Sequence, residues 1–296
     1  MITPVLSGVR DRVYAIDQIA TLPQTLVRIL EVVQDEHSSA LDLANEIAAD
    51  QALAMQILRT VNSSYYGLRR RVQTISESVV ILGFEEVERV ALSVSVVNFF
   101  GTDPHSLRLL NTLWRHSVAC SIIAGSLERR YLDSQPGLSG ARVAGLLHDI
   151  GKAVIAQHFP EAVGPIRKLM EEQDMSSVDA EKAVLDGYSH CDIGSWVAET
   201  WGLPETLVES IALHHMPHLV PADHGLVHLA HLADQIATLL GYPSVKLDSE
   251  KRTAKITCDI LGIDDSMIAK LAERLEQQKG AIGMLACAGH MPASGT

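Results

Sequence analysis

Residues 145–152 read GLLHDIGK, which sets an imidazole, a carboxylate and an ammonium inside an otherwise apolar stretch. Gly145, Leu146 and Leu147 lead into His148 and Asp149, and Lys152 follows one helical turn after His148. Taking such groups out of water costs on the order of several kcal/mol each unless they are paired, hydrogen-bonded or bound to a metal. Any fold open to this chain must therefore bring polar partners to this point from distant segments.

Those segments read as helices. Ile29, Leu30 and Val33 continue the helical spacing that starts at Leu26 after Pro23, and Leu53, Ile57, Leu58 and Val61 form a second stripe. Ser39 and Asp50 are placed to cap the helices that follow them, Thr74 and Glu77 form a capping box, and Gly83 is a stop signal. A long apolar helix is expected from Phe84 to Phe100, and another carries Leu113, His116 and Cys120. Residues 141–158 hold the GLLHDIGK motif, 161–173 form a more polar helix, and Ile193, Val197 and Trp201 mark one that ends before GLP. HGLVHLAHLADQIATLLG is a further apolar helix, and 265–278 is the last amphipathic one. No segment alternates as a strand, and no repeat of fixed period is present. The expected fold is all-α, a helical bundle with an additional N-terminal helical lobe. The expected division is 10–104, 105–245 and a C-terminal helix and tail over 246–296, with the first break in GTDPHS near 101–108.

Composition narrows the function. The chain has 24 Lys and Arg against 36 Asp and Glu, a formal charge of −12, which argues against general nucleic-acid binding through phosphate neutralisation. Arg69, Arg70 and Arg71 are read as a solvated loop between helices. Cys120, Cys191, Cys258 and Cys287 show no CxxC spacing, as expected of reduced thiols in a cytoplasmic protein. No stretch approaches the ~18 uninterrupted apolar residues of a membrane span, and the first residues lack the apolar core of a signal peptide.

Several later helices carry polar groups among apolar neighbours: His116, His148 with Asp149, His190, His214 with His215, and Asp234. Each alone is explained by a histidine or carboxylate bonded inside a core, since buried polar groups normally find protein partners. Together they fit a second explanation. Imidazoles and carboxylates converging from facing helices are how helical proteins build di-metal sites, and mixed N and O donors suit Fe, Mn or Zn. Asp149 has two oxygens and can bridge two ions. Lys152 either meets an anionic ligand or neutralises a nearby carboxylate. His228 and His231 precede Asp234 by six and three residues and are read as packing or surface positions.

The order H…HD…H…HH…D, with LLHDIGK and LHH, resembles the HD superfamily of metal-dependent phosphohydrolases, and more closely its HD-GYP branch. The resemblance implies metal-ligand roles for His116, His148, Asp149, His190, His214, His215 and Asp234, with two divalent ions, Fe or Mn ahead of Zn. It implies catalytic roles for Asp149 and Lys152 if the site turns over. Thr112 stands where HD-GYP enzymes have a glutamate, so no third ion is expected. HHMPHLVPADHG replaces the Glu and Gly-Tyr-Pro segment through which that branch recognises cyclic di-GMP, with Met216 and Pro217 after His215.

The N-terminal half separates the branches further. LPQTLVRIL, LANEIAADQALAMQILRTVNSSYYG, TISESVVILGFEEVERVAL and WGLPETLVESIALHH are similar to the HDOD domain of bacterial signalling proteins, over about residues 15–245. Gln51 departs from a proline common there. This resemblance implies a regulatory protein that works through a signalling partner or a small phosphorylated ligand; a metal-dependent phosphohydrolase acting on a nucleotide or phosphoester is the alternative.

Overall fold

The computed structural model describes residues 6–16, 24–34, 37–63, 66–99, 107–132, 140–221, 224–244 and 263–287. The described residues form helices and no strand. Residues 101–106 of the expected break near 101–108, and much of 246–296, lie outside them.

Two compact units form, one from residues 22–102 and 276–296 and a larger one from 1–21 and 103–275. The smaller contains α2 (Gln24–Gln34), α3 (Ala40–Ala49), α4 (Gln51–Val61), α5 (Ile75–Leu82) and α6 (Phe84–Phe99). Their ends are set by local chemistry. Ser39 and Asp42 close a capping box at the start of α3, and Asp50 Oδ1 accepts the Leu53 N–H at 3.0 Å to start α4. Thr74 Oγ1 accepts from the Glu77 N–H at 3.1 Å, while the Glu77 carboxylate accepts from the Gln73 N–H at 3.0 Å. Caps of this kind each stabilise a helix by about 1 kcal/mol. Gly83 ends α5 with φ 88°, a left-handed conformation that side chains resist. Ile29, Leu43, Ile47, Ile57 and Val61 fill this unit's interior. Arg69, Arg70 and Arg71 are exposed between α4 and α5, and Arg70 pairs with Glu77 at 2.8 Å.

The larger unit contains α1 (Val9–Tyr14), α7 (Leu107–Leu132), α8 (Ala141–Leu147), α9 (Ile150–His158), α10 (Pro160–Gln173), α11 (Ser177–Val184), α12 (His190–Thr200), α13 (Glu205–Leu213) and α14 (Gly225–Leu239). A last helix, α15, runs Asp265–Cys287. The segment 141–158 is not one helix: α8 stops at Leu147, His148 and Asp149 form a turn, and α9 restarts at Ile150. Helices α7, α8, α9, α12, α13 and α14 pack together. Two glycines of the GLLHDIGK motif permit the closest approaches. A Cβ on Gly145 would lie 2.7 Å from the Cys120 carbonyl oxygen of α7, and one on Gly151 would collide with the His190 carbonyl oxygen of α12. These contacts bring the His148–Asp149 turn against the start of α12. Among the described residues no helix is long and apolar enough to cross a membrane.

Candidate metal centre

Residues from several helical elements meet at this turn. His116 comes from the middle of α7, His148 and Asp149 from the α8–α9 break, His190 from the first position of α12, His214 and His215 from the end of α13, and Asp234 from α14. His116, His148, His190 and His214 are fully buried, and Asp149 is 1% exposed.

The imidazoles are oriented from behind. His116 Nδ1 donates to the Tyr242 carbonyl at 2.6 Å, His148 Nδ1 to Gly145 O at 3.0 Å, and His214 Nδ1 to Ile211 O at 2.8 Å. His190 Nδ1 donates to Glu181 Oε2 at 2.6 Å. A carbonyl can only accept, so each bond to one places a proton on Nδ1 and turns Nε2 inward.

Asp149 lies between two sets of these inward nitrogens. Its Oδ2 is 3.5 Å from His148 Nε2 and 3.7 Å from His116 Nε2. Its Oδ1 is 3.3 Å from His190 Nε2 and 3.7 Å from His214 Nε2. Asp234 Oδ1 is 3.2 Å from His116 Nε2, and His215 Nε2 is 3.2 Å from His190 Nε2. Lys152 Nζ donates to Asp149 Oδ2 at 2.8 Å and to Ser244 Oγ at 3.0 Å. His116, His148, Asp149, Lys152, His190, His214, His215 and Asp234 thus lie in one cluster.

Burial and neighbouring charge set which of these groups hold protons. Burial pushes His148 down to about 3, with His214 and His116 adding to the effect, and burial and Lys152 push His190 down. Both stay neutral. Burial would raise the Asp149 carboxyl, but the Lys152 ammonium beside it holds it well below the usual carboxylate range. His116 moves the other way: burial opposes its charge, yet Cys120 and Asp234 outweigh it and push the imidazole up. His116 can therefore donate to Asp234, while the Nε2 atoms of His148 and His190 are lone pairs facing a carboxylate.

This arrangement has more acceptors than protons. Among the described residues no hydrogen bond reaches Asp149 Oδ1 or His214 Nε2, although both atoms are buried. Leaving such atoms unsatisfied costs roughly 1–3 kcal/mol each. A divalent cation would remove the deficit, and the N and O donors suit one; groups of His, Asp and Cys atoms lie close enough together here to hold a metal.

Sequence pattern does not single out Glu181. It lies on the buried stripe of α11 with Ala180 and Val184, and an acid on that stripe is the only signal available. His231 and His228 are each held by a backbone carbonyl: His231 Nδ1 donates to His214 O at 2.7 Å, and His228 Nε2 to Pro221 O at 3.1 Å. Thr112 Oγ1 donates to Arg108 O at 3.1 Å, away from the cluster.

The HDOD domain family matches residues 19–217, two thirds of the chain. This chain belongs to the HDOD family. The HDOD assignment extends through the fold. An HDOD domain protein of unknown function from Geobacter sulfurreducens superposes with a TM-score of 0.73 at 26% identity, over 96% of this chain and 97% of that one. A protein from Marinobacter aquaeolei, provisionally named for signal transduction, superposes with a TM-score of 0.76 at 23% identity, over 96% of this chain and 66% of that one. An uncharacterized protein of Treponema pallidum (strain Nichols) is 26% identical over 218 residues, 73% of this HDOD chain and 41% of that protein. This chain thus spans less than half the length of that relative.

Proposed function

We propose that this HDOD protein is a regulatory module of bacterial signal transduction whose larger unit holds two divalent ions, and that it works by binding a protein partner or a small phosphorylated ligand. The two-ion reading is supported most directly by Asp149, whose oxygens face separate histidine sets: Oδ2 faces His116 and His148, Oδ1 faces His190 and His214. One ion would be held by His116, His148, Asp149 and Asp234, the other by Asp149, His190, His214 and His215. Bound ions would supply Lewis acidity and neutralise negative charge.

The residues themselves favour regulation over turnover. Metal sites that turn over keep a position open to substrate, and closed sites are structural; here the main donors are fully buried. The Lys152 ammonium, which a phosphoester could otherwise use, is engaged by Asp149 and Ser244. Met216 and Pro217 follow the paired histidines, and Pro217 opens a short 3-10 turn over Pro217–Leu219. No acidic residue follows His215 there to orient a dinucleotide. Orientation can contribute roughly 7–11 kcal/mol of a barrier, so its loss silences a site whose donors are intact.

The test is metal analysis of protein purified without chelator, then single-turnover assays with cyclic di-GMP and simple phosphodiesters on wild type and Asp149→Asn. Bound metal in wild type, depleted in the variant, with no turnover, is the expected result. Turnover near about 1 s⁻¹ or faster, abolished by Asp149→Asn, replaces the regulatory reading with the phosphohydrolase one. Protein without metal removes both.

A further inference from the structure

One buried thiol next to the cluster has no place in the donor set so far. Cys191 follows His190 in the first turn of α12 and is 4% exposed. Its Sγ lies 3.5 Å from His190 Nε2, the inward nitrogen. Ligand atoms of His190, Cys191, His214 and His215 all lie within 4.8 Å of one another. Zn–N and Zn–S bonds of about 2.0–2.3 Å in a tetrahedral site put neighbouring donor atoms roughly 3.3–3.8 Å apart. The sulfur–nitrogen separation at Cys191 and the 3.2 Å separation of the His190 and His215 Nε2 atoms fall at or near that spacing. His214, whose buried Nε2 has no hydrogen bond among the described residues, belongs to the same group.

We propose that Cys191 is a thiolate ligand at this position, so that the ion held by His190, His214 and His215 is a borderline one such as Zn²⁺, Co²⁺ or Fe²⁺ rather than Mn²⁺. The inference rests on the two-ion reading and changes its chemistry. Oxygen and imidazole donors alone leave the choice among first-row ions open, whereas a thiolate selects softer ones. The α12 geometry makes the role available: consecutive residues at a helix start project about 100° apart, and His190 is held from behind by Glu181, which leaves Cys191 the neighbouring direction. The other buried thiol, Cys120, is on α7, 3.4 Å from His116 Nε2, and supplies a comparison variant on the far side of Asp149.

The experiment is titration of chelator-treated full-length protein with Co²⁺ alone, followed by absorption spectroscopy. Bound cobalt with a sulfur-to-cobalt charge-transfer band, weakened in Cys191→Ser, supports the proposal. Bound cobalt with no such band, or a band unchanged in Cys191→Ser, overturns it and leaves the two-ion reading standing. Absence of bound cobalt overturns both. Circular dichroism checks that the variant folds. X-ray absorption on zinc-loaded Cys120→Ser protein tests the metal–sulfur bond with the Cys191 thiol intact: a sulfur shell near about 2.3 Å is expected, and only N and O scatterers at about 2.0–2.2 Å overturn the proposal.

Discussion

Glu181 Oε2 accepts from both the backbone N–H of His190, at 2.7 Å, and its Nδ1–H, at 2.6 Å. One carboxylate oxygen thereby anchors the start of α12 and sets the tautomer of its first side chain. Burial pushes the Glu181 carboxyl up to about 7, opposed by Lys152 and the His190 N–H. Carboxylates behind a ligating histidine are worth about 10–100-fold in metal affinity. Glu181→Gln is expected to weaken metal binding by that range while keeping the helical fold, as read by competitive chelator titration and circular dichroism. Unchanged affinity would reduce Glu181 to a packing residue.

Lys152 and Asp149 form a buried pair at 2.8 Å. Removing one partner of such a pair leaves an uncompensated charge and destabilises by about 3–5 kcal/mol. Lys152→Met should therefore destabilise the chelator-treated protein by about that much, and the metal-loaded protein by clearly less, because cations then neutralise Asp149. The measurement is urea unfolding with and without chelator. Equal losses in both states would count against metal at Asp149.

Gly151 allows α9 to meet α12 at the His190 carbonyl. The added methyl of Gly151→Ala collides with backbone, which cannot move aside as a flexible side chain can. Overpacking of this kind costs typically about 1–3 kcal/mol. Thermal unfolding should show that loss, and chelator titration should show weaker metal binding because His190 is displaced. Gly164→Ala, whose Cβ meets nothing within 4 Å, is the control expected to be neutral or slightly stabilising.

Arg12 and Glu161 tie α1 to the start of α10 at 3.0 Å, with the Arg12 guanidinium also over the Phe159 ring at 4.4 Å. The Glu161 carboxyl is lowered by its own backbone N–H first, with burial opposing and Arg12 assisting. A carboxyl lower in the folded than in the unfolded chain stabilises above its unfolded value, and that stability is lost as pH falls through the folded one. Both side chains are more than a third exposed, so the gain is about 0.2–1 kcal/mol. Glu161→Gln should cost that much near neutral pH and nothing in strong acid, below the folded value, measured by denaturant unfolding under both conditions.

Helical class, family and the identity of the polar residues that need explaining are legible along the chain alone. Caps at Ser39, Asp50 and Thr74 and the stop at Gly83 act within a few residues, so local pattern is enough to read them. The order of histidines and aspartates from His116 to Asp234 is likewise visible in the linear chain. Packing settles the rest. The break at His148–Asp149 falls in a stretch that is apolar on both sides, so spacing alone does not place it. Glu181 stands nine residues from His190 and on another helix. Ser244 meets Lys152 across 92 residues, and Cys191 becomes a candidate donor only when α13 delivers His214 and His215 beside it. These relations depend on which helices approach, and that choice is made by the summed burial of aliphatic faces and by glycines that admit close contact, not by the periodicity of any single segment.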